Sequence, residues 1–459
     1  LEFLKNLFNT CLDTGNIPST WKNSEVILIY KKRDKNDLTN FRPISLMSHV
    51  CKLFFKVISN RIDTKIDENQ SNTQAGFRRN LSTMTHIQTV RELIQKSKEY
   101  NRPLIMAFID FEKAFDSLEH WAIFNALKRC KIDSRYIDII QNLYSDCNFD
   151  INIKGDKTSI KQFRGIRQGD TLSPKLFIAA LEDMFKTLKW NRRGIKINGQ
   201  YLNHLRFADD IVLFADNLSD IETLINDLSQ MSLKIGLKIN YGKTKMLSNV
   251  QGTTVKTESG NTVNFVNDYI YLGQNMSFNT IEDEVSRRIR LSWAAFGKLH
   301  NVFNPHSNIP QHLKTRVYNQ CVLPVLTYGC ETWPLTKKTI QTIAVNQRHM
   351  ERKMIGVRLI DRMTNTELRN RTKIEDAVTR IKSLKFQWAG HVARGNNWTN
   401  LVHEWIPRAN VRARGRPAER WDDDLRRCLG ATWRRLTTDR ETWRSRREAF
   451  CSGVDIPIG

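Results

Sequence analysis

Three carboxylates carry the strongest chemical signal in this 459-residue chain: Asp110, Asp209 and Asp210. Asp110 closes the apolar run LIMAFID over 104–110, and the Asp209–Asp210 pair interrupts YLNHLRFADDIVLFA over 201–215. Each stands at the end of a strand-like run whose composition calls for Val or Ile. Acids on separate strands can converge at such ends, where like charges repel unless a cation neutralises them. Hard oxygen donors without His or Cys select Mg²⁺, with Mn²⁺ as a substitute. Two such ions about 3.5–4 Å apart can activate an attacking hydroxyl and stabilise a departing pyrophosphate in an in-line displacement. The bland alternative, a solvated Asp-Asp hairpin turn, loses weight only because of what flanks the pair.

The elements that must hold these acids are legible in part. The 104–110 run reads as a buried strand, and 114–129 as a helix after it. The 201–215 segment reads as strand, tight turn and strand, with the acids at the turn. Ser173-Pro174 reads as an N-cap and first helical position, opening a helix to about 189. Helical spacing marks 51–65 and 221–235. Beyond 280, Ile281, Val285, Ile289, Trp293, Phe296 and Leu299 form an apolar stripe, and helices dominate to about 385.

The flanking motifs give the acids a context. Asn40-Phe-Arg-Pro-Ile-Ser-Leu46, Gln74-Ala-Gly-Phe-Arg-Arg-Asn-Leu-Ser-Thr83, Phe108-Ile-Asp-Phe-Glu-Lys-Ala-Phe-Asp116 and Gly165-Ile-Arg-Gln-Gly-Asp-Thr-Leu-Ser-Pro174 precede Phe207-Ala-Asp-Asp-Ile-Val-Leu-Phe214. Gly236-Leu-Lys-Ile-Asn240 with Lys243, and Tyr271-Leu-Gly273, follow. In this order they resemble the reverse transcriptases of non-LTR (LINE-type) retrotransposons, with an RTE-like ending. The resemblance implies an α+β right-hand polymerase: fingers over 1–100, a palm with an antiparallel sheet over 101–280, a helical thumb over 281–375 and a basic C-terminal region over 376–459.

It also implies roles. Asp110, Asp209 and Asp210 are the expected catalytic residues and ligands of two Mg²⁺ ions. Phe115 is expected beneath the incoming sugar, with ordinary core packing as its alternative. Gln168 and Gly169 are expected at the template–nucleotide pair, and Arg78 on the triphosphate. Lys243 is expected near the leaving pyrophosphate, although a surface lysine is the competing reading. Tyr271, Leu272 and Gly273 match the primer grip, and Asp116 is expected to stabilise structure. The implied partners are template RNA, a DNA primer or target and deoxynucleoside triphosphates, in a ribonucleoprotein with the element's own RNA. The implied location is nuclear and cytoplasmic, without secretion.

Composition sets limits on the alternatives. Seventy-two Lys and Arg against 48 Asp and Glu leave a charge of +24, which suits a polyanionic partner. Mean hydropathy is −0.48, and no run reaches the ~18 apolar residues of a membrane span. Eight cysteines stand singly, with no C-x-x-C pair, against a zinc ribbon or a disulfide framework. The excess charge is greatest beyond 280, where 33 basic residues face 18 acids. Six of the 11 tryptophans lie between 388 and 443. Arg412, Arg414, Arg416 and Trp421 are therefore expected to grip structured RNA or melted DNA through phosphate forks and base stacking. The alternative is a small helical domain with a tryptophan core and a solvated basic face.

The chain opens on Leu1 rather than Met, and no endonuclease-like cluster is found in it. The expectation is a piece of a longer protein that borrows its primer end. Two rival functions remain: a silent relic or domesticated copy that only binds RNA, and an intron-encoded maturase-type polymerase. The intact Asp110, Asp209, Asp210, Gln168 and Phe115 weigh against the first. Ala208, Phe115 and the Trp- and Arg-rich ending weigh against the second.

Overall fold

The structure is a computed structural model. It describes residues 1–31, 34–153, 155–250, 252, 254–407 and 418–452. The chain divides into two compact units: one of residues 1–82, 105–246 and 251–265, the other of 83–104, 247–250 and 266–459.

The first unit holds two main sheets. Strands β1 (Asn23–Tyr30), β2 (Phe41–Leu46), β4 (Asn148–Ile153) and β5 (Asp156–Lys161) form a four-stranded sheet in the order β2-β1-β4-β5. Strands β3 (Ile105–Ile109), β8 (His204–Phe207), β9 (Asp210–Ala215), β10 (Lys245–Ser248), β11 (Thr254–Lys256) and β12 (Thr262–Phe265) form a six-stranded sheet ordered β11-β12-β10-β3-β9-β8. A small hairpin of β6 (Ile195–Ile197) and β7 (Gln200–Leu202) precedes the latter's edge strand. All five residues of β3 are buried, as a strand covered on both faces must be. Helices Leu218–Lys234 and Ser173–Phe185 bury Leu224, Leu228, Phe177 and Leu181 in the core that this sheet shares.

Local chemistry explains the element ends. Helix His49–Glu68 starts where Ser48 accepts the Cys51 amide, an N-cap worth about 1 kcal/mol. The expected 114–129 helix is two pieces, Ala114–Ser117 and His120–Arg129, because Leu118 and Glu119 are extended between them. Helix Ser173–Phe185 does carry Pro174 in its first turn, but Ser173 lies inside it and makes no cap bond.

The second unit is mainly helical. Helix Glu282–Lys298 buries Val285, Ile289 and Phe296 from the expected stripe against Phe303, Tyr318 and Met350, with Ile281, Trp293 and Leu299 at the margin. A hairpin of β13 (Asp268–Tyr271) and β14 (Gln274–Ser277) also belongs to this unit. So does helix Thr83–Glu99. The reason is packing: Thr89 bonds to Thr399 at 3.1 Å, Glu92 to His403 at 2.9 Å, and Arg91 to Gln274 at 2.8 Å.

Candidate active site

Register brings the acids together. Strands β3 and β9 pair antiparallel from Ile105↔Ala215 to Ile109↔Ile211, so the next step sets Asp110 opposite Asp210. Strands β8 and β9 pair through Phe207↔Asp210, leaving Ala208 and Asp209 as a two-residue turn. Ala208 takes the left-handed conformation, φ 57°. That geometry suits a tight hairpin but costs an alanine about 1 kcal/mol.

The electrostatics are those of crowded acids. Burial raises the Asp209 carboxyl above its ordinary range, with Asp110 adding to the rise. Asp210 is pushed up to about 6, first by the protein packed around it and then by Asp209 and Asp110, although the residue is itself exposed beside the turn. Lys243 Nζ lies 3.0 Å from Asp110 Oδ2, and the Asn240 amide donates to the Asp110 carbonyl at 2.7 Å. Among the described residues no three carboxylate, His or Cys groups converge tightly enough to cage an ion. The cluster's fit to divalent metal rests on donor chemistry: three carboxylates, two of them held at a cost that a cation would relieve.

Around the acids, Phe115 is half-buried and stacks on Phe177 at 4.7 Å, with Phe77 edge-on at 6.4 Å. The ring is thus packed on one face and partly open to solvent. Gln168 Nε2 donates to Asp116 Oδ1 at 2.8 Å, giving Asp116 the structural role expected of it. The Gln168 carbonyl accepts from the Ser45 amide at 2.8 Å. Gly169 sits at φ 110°, and a Cβ there would lie 3.0 Å from the Ser45 carbonyl oxygen. The close approach that requires glycine is therefore to β2.

Arg78 is corrected. Its guanidinium bonds Asp67 Oδ1 at 2.7 Å and the carbonyls of Ser71 and Gln74 at 2.9 and 3.1 Å. Its fork is spent on closing its own turn. The residues that sequence reasoning passed over are Arg42 and Lys31, whose charges pull the Asp209 carboxyl back down. Arg42 lies inside the Asn40–Leu46 motif, and its exposed place on β2 is the signal that marks it.

Of the residues expected to form the primer grip, Tyr271 ends β13, and Leu272 and Gly273 make the β13–β14 turn. Leu272 and Gly273 are both left-handed, and their carbonyls accept from Tyr328 and Arg287 at 2.9 and 3.1 Å. Arg412, Arg414 and Arg416 lie outside the described residues. Trp421 is corrected: it is 2% exposed, its Nε1 donates to the Glu331 carbonyl at 2.7 Å, and its ring lies in a core with Trp433, Trp443, Phe386 and Phe450. Trp398 and Trp405 are buried as well. No base can stack on a face already covered, so here the tryptophan-core reading holds. Trp421 also borders a cavity of about 460 Å³ that contains none of the three acids.

Residues 30–276 match the family model described as reverse transcriptase (RNA-dependent DNA polymerase). A transposon-derived protein of Caenorhabditis elegans is 32% identical over 54% of this chain and 96% of its own length. The Pol polyprotein of a type-2 retrotransposable element of Drosophila melanogaster is 30% identical over 52% of this chain and 22% of that protein. The RNA-directed DNA polymerase of the mobile element jockey, also from Drosophila melanogaster, is 23% identical over 78% of this chain and 40% of that protein. The chain thus spans well under half the length of these two retrotransposon proteins.

Proposed function

Since the chain belongs to the reverse transcriptase family, as a relative of non-LTR retrotransposon polymerases, we propose that it extends a DNA 3′-hydroxyl on an RNA template with deoxynucleoside triphosphates. The observation that carries this reading is Asp110 set opposite the Asp209–Asp210 turn by strand register, with the turn acids destabilised as anions. Asp110, Asp209 and Asp210 would hold two Mg²⁺ ions, or Mn²⁺. Bound there, the ions supply an activated 3′-oxygen and charge neutralisation for the departing pyrophosphate.

The 3′-oxygen forms its bond to the α-phosphorus as the bond to the bridging oxygen breaks. Lys243, whose Nζ lies 3.0 Å from Asp110 Oδ2, would be placed to balance the leaving group's negative charge. Phe115 supplies the surface that excludes a 2′-hydroxyl. Arg42, rather than Arg78, is the proposed triphosphate grip, since its planar fork suits phosphate oxygens, with the Lys31 ammonium adding a second positive charge. The charge of +24 supports binding of template RNA and DNA primer, in a ribonucleoprotein of nucleus and cytoplasm.

Primer extension on poly(rA)/oligo(dT) with Mg²⁺ tests this, beside Asp209→Ala/Asp210→Ala. Extension by the wild type that falls to background in the double variant supports it. Absence of extension, with salt-sensitive RNA binding retained by both, overturns it and favours the RNA-binding relic.

A further inference from the structure

The segment carrying Arg78 grips the catalytic turn from outside the hairpin. Residues 73–75 run alongside edge strand β8: the Arg206 amide donates to the Thr73 carbonyl at 2.8 Å, and the Ala75 amide to the Arg206 carbonyl at 2.9 Å. Side chains fasten the same seam. Thr73 Oγ1 meets His204 Nε2 at 2.9 Å, and buried Arg206 pairs with Glu182 at 2.6 Å. From this rail Gln74, fully buried, reaches the turn. Its Oε1 accepts the Ala208 amide at 3.1 Å and the Gly76 amide at 2.8 Å. Both neighbours are N–H donors, which only the amide oxygen can accept, so the orientation of Gln74 is fixed by chemistry. Gly76 lies so close that a Cβ there would sit 2.3 Å from the Ala208 nitrogen. Arg78 then closes the segment through the Ser71 and Gln74 carbonyls.

We propose that Gln74 is a positioning residue for the polymerase reaction, its side-chain oxygen holding Ala208 in the left-handed turn that presents Asp209 and Asp210 to metal. The proposal rests on the polymerase reading. Its physical content is a compensation. Ala208 carries the conformational cost of a left-handed alanine, and a buried hydrogen bond from a rigid neighbour offsets it. Without that bond the turn relaxes, and the two acids lose the placement that Asp110 requires of them.

Gln74→Met keeps the volume and removes the acceptor. The expected result is a 10–100-fold fall in kcat for extension, with the KM for nucleotide changed less than about threefold. Mn²⁺ affinity, read by electron paramagnetic resonance on the protein without nucleic acid, weakens in parallel. Ala208→Gly in the Gln74→Met background lowers the cost of the left-handed turn and restores about fivefold of the lost rate. A folded Gln74→Met protein with wild-type kcat and Mn²⁺ affinity overturns the proposal. So does a loss that follows melting temperature and that Ala208→Gly leaves untouched.

Amide hydrogen exchange on the wild type adds a measurement independent of any variant's folding. The Ala208 amide is expected to be protected, and free exchange there overturns the clamp. If the wild type fails to extend any primer, the polymerase reading falls, while the Mn²⁺ and exchange comparisons still judge the clamp.

Discussion

Asp210 has two acids, Asp209 and Asp110, working against its charge and only the Lys31 ammonium working for it, so in the metal-free protein its carboxylate is disfavoured. The sign of the consequence is definite. Its carboxyl titrates near 6 in the folded chain against an ordinary 3.8, so the folded state holds its proton more tightly than the unfolded state does. The stabilisation this gives is complete below about pH 4 and is lost as pH rises through about 6. In chelator at pH 7.5, Asp210→Asn is therefore expected to melt above the wild type, and the gap should close near pH 4. Melting curves across that range check it, and added Mg²⁺ should raise the midpoint of the wild type more than that of the variant.

The two arginines separate at the same scale. Arg42→Ala is expected to raise the KM for nucleotide about 10–100-fold, as the loss of a charge-assisted contact does. Arg78→Ala should instead lower stability by about 1–3 kcal/mol, because two carbonyls lose their donor, with the nucleotide KM less affected. Steady-state kinetics beside urea melts tell them apart. The sequence showed that both residues were arginines in motifs; it could not show where each fork points, because Asp67 competes for Arg78 through a turn that local pattern does not encode.

At the scale of elements, the strand that ends on Asp110, the hairpin around Asp209 and the amphipathic helices were readable because burial leaves a period in the sequence. The break at Leu118–Glu119 was not, since nothing in the composition forbids a continuous helix there. The tryptophans of the C-terminal region were readable as a group but not as a face. Phe386 stacks on Trp443 at 4.0 Å, and a Cβ at Gly390 would lie 2.6 Å from Trp443 Nε1. A ring so enclosed belongs to packing. Trp433, fully buried, should cost about 3–5 kcal/mol when changed to Ala. Urea unfolding that detects no such loss would return these rings to the list of candidate base platforms.

For the whole molecule, the interleaving of the two units is the feature that motif order hid. Helix Thr83–Glu99 lies between two motifs of the first unit in sequence, yet it buries Met84, Ile87, Val90 and Leu93 within the second unit. Three of its polar anchors are Thr399, His403 and Arg420. A chain cut after residue 375, at the expected end of the thumb, loses all three. We expect that fragment to aggregate or bind 1-anilinonaphthalene-8-sulfonate, as chains with uncovered apolar helices do. A soluble, cooperatively melting 1–375 fragment would show that the helix needs none of these anchors.

The same interleaving sets a timetable for synthesis. Thr89 meets Thr399, a residue 310 positions later. At about 5–20 residues per second, the ribosome needs roughly 15–60 s to deliver that partner. For that interval the nascent helix presents its apolar side without its mate, while the strands flanking it in sequence already have sheet partners to find. A protein built this way asks its cell for protection during translation, and its yield should depend on chaperones more than its finished stability suggests.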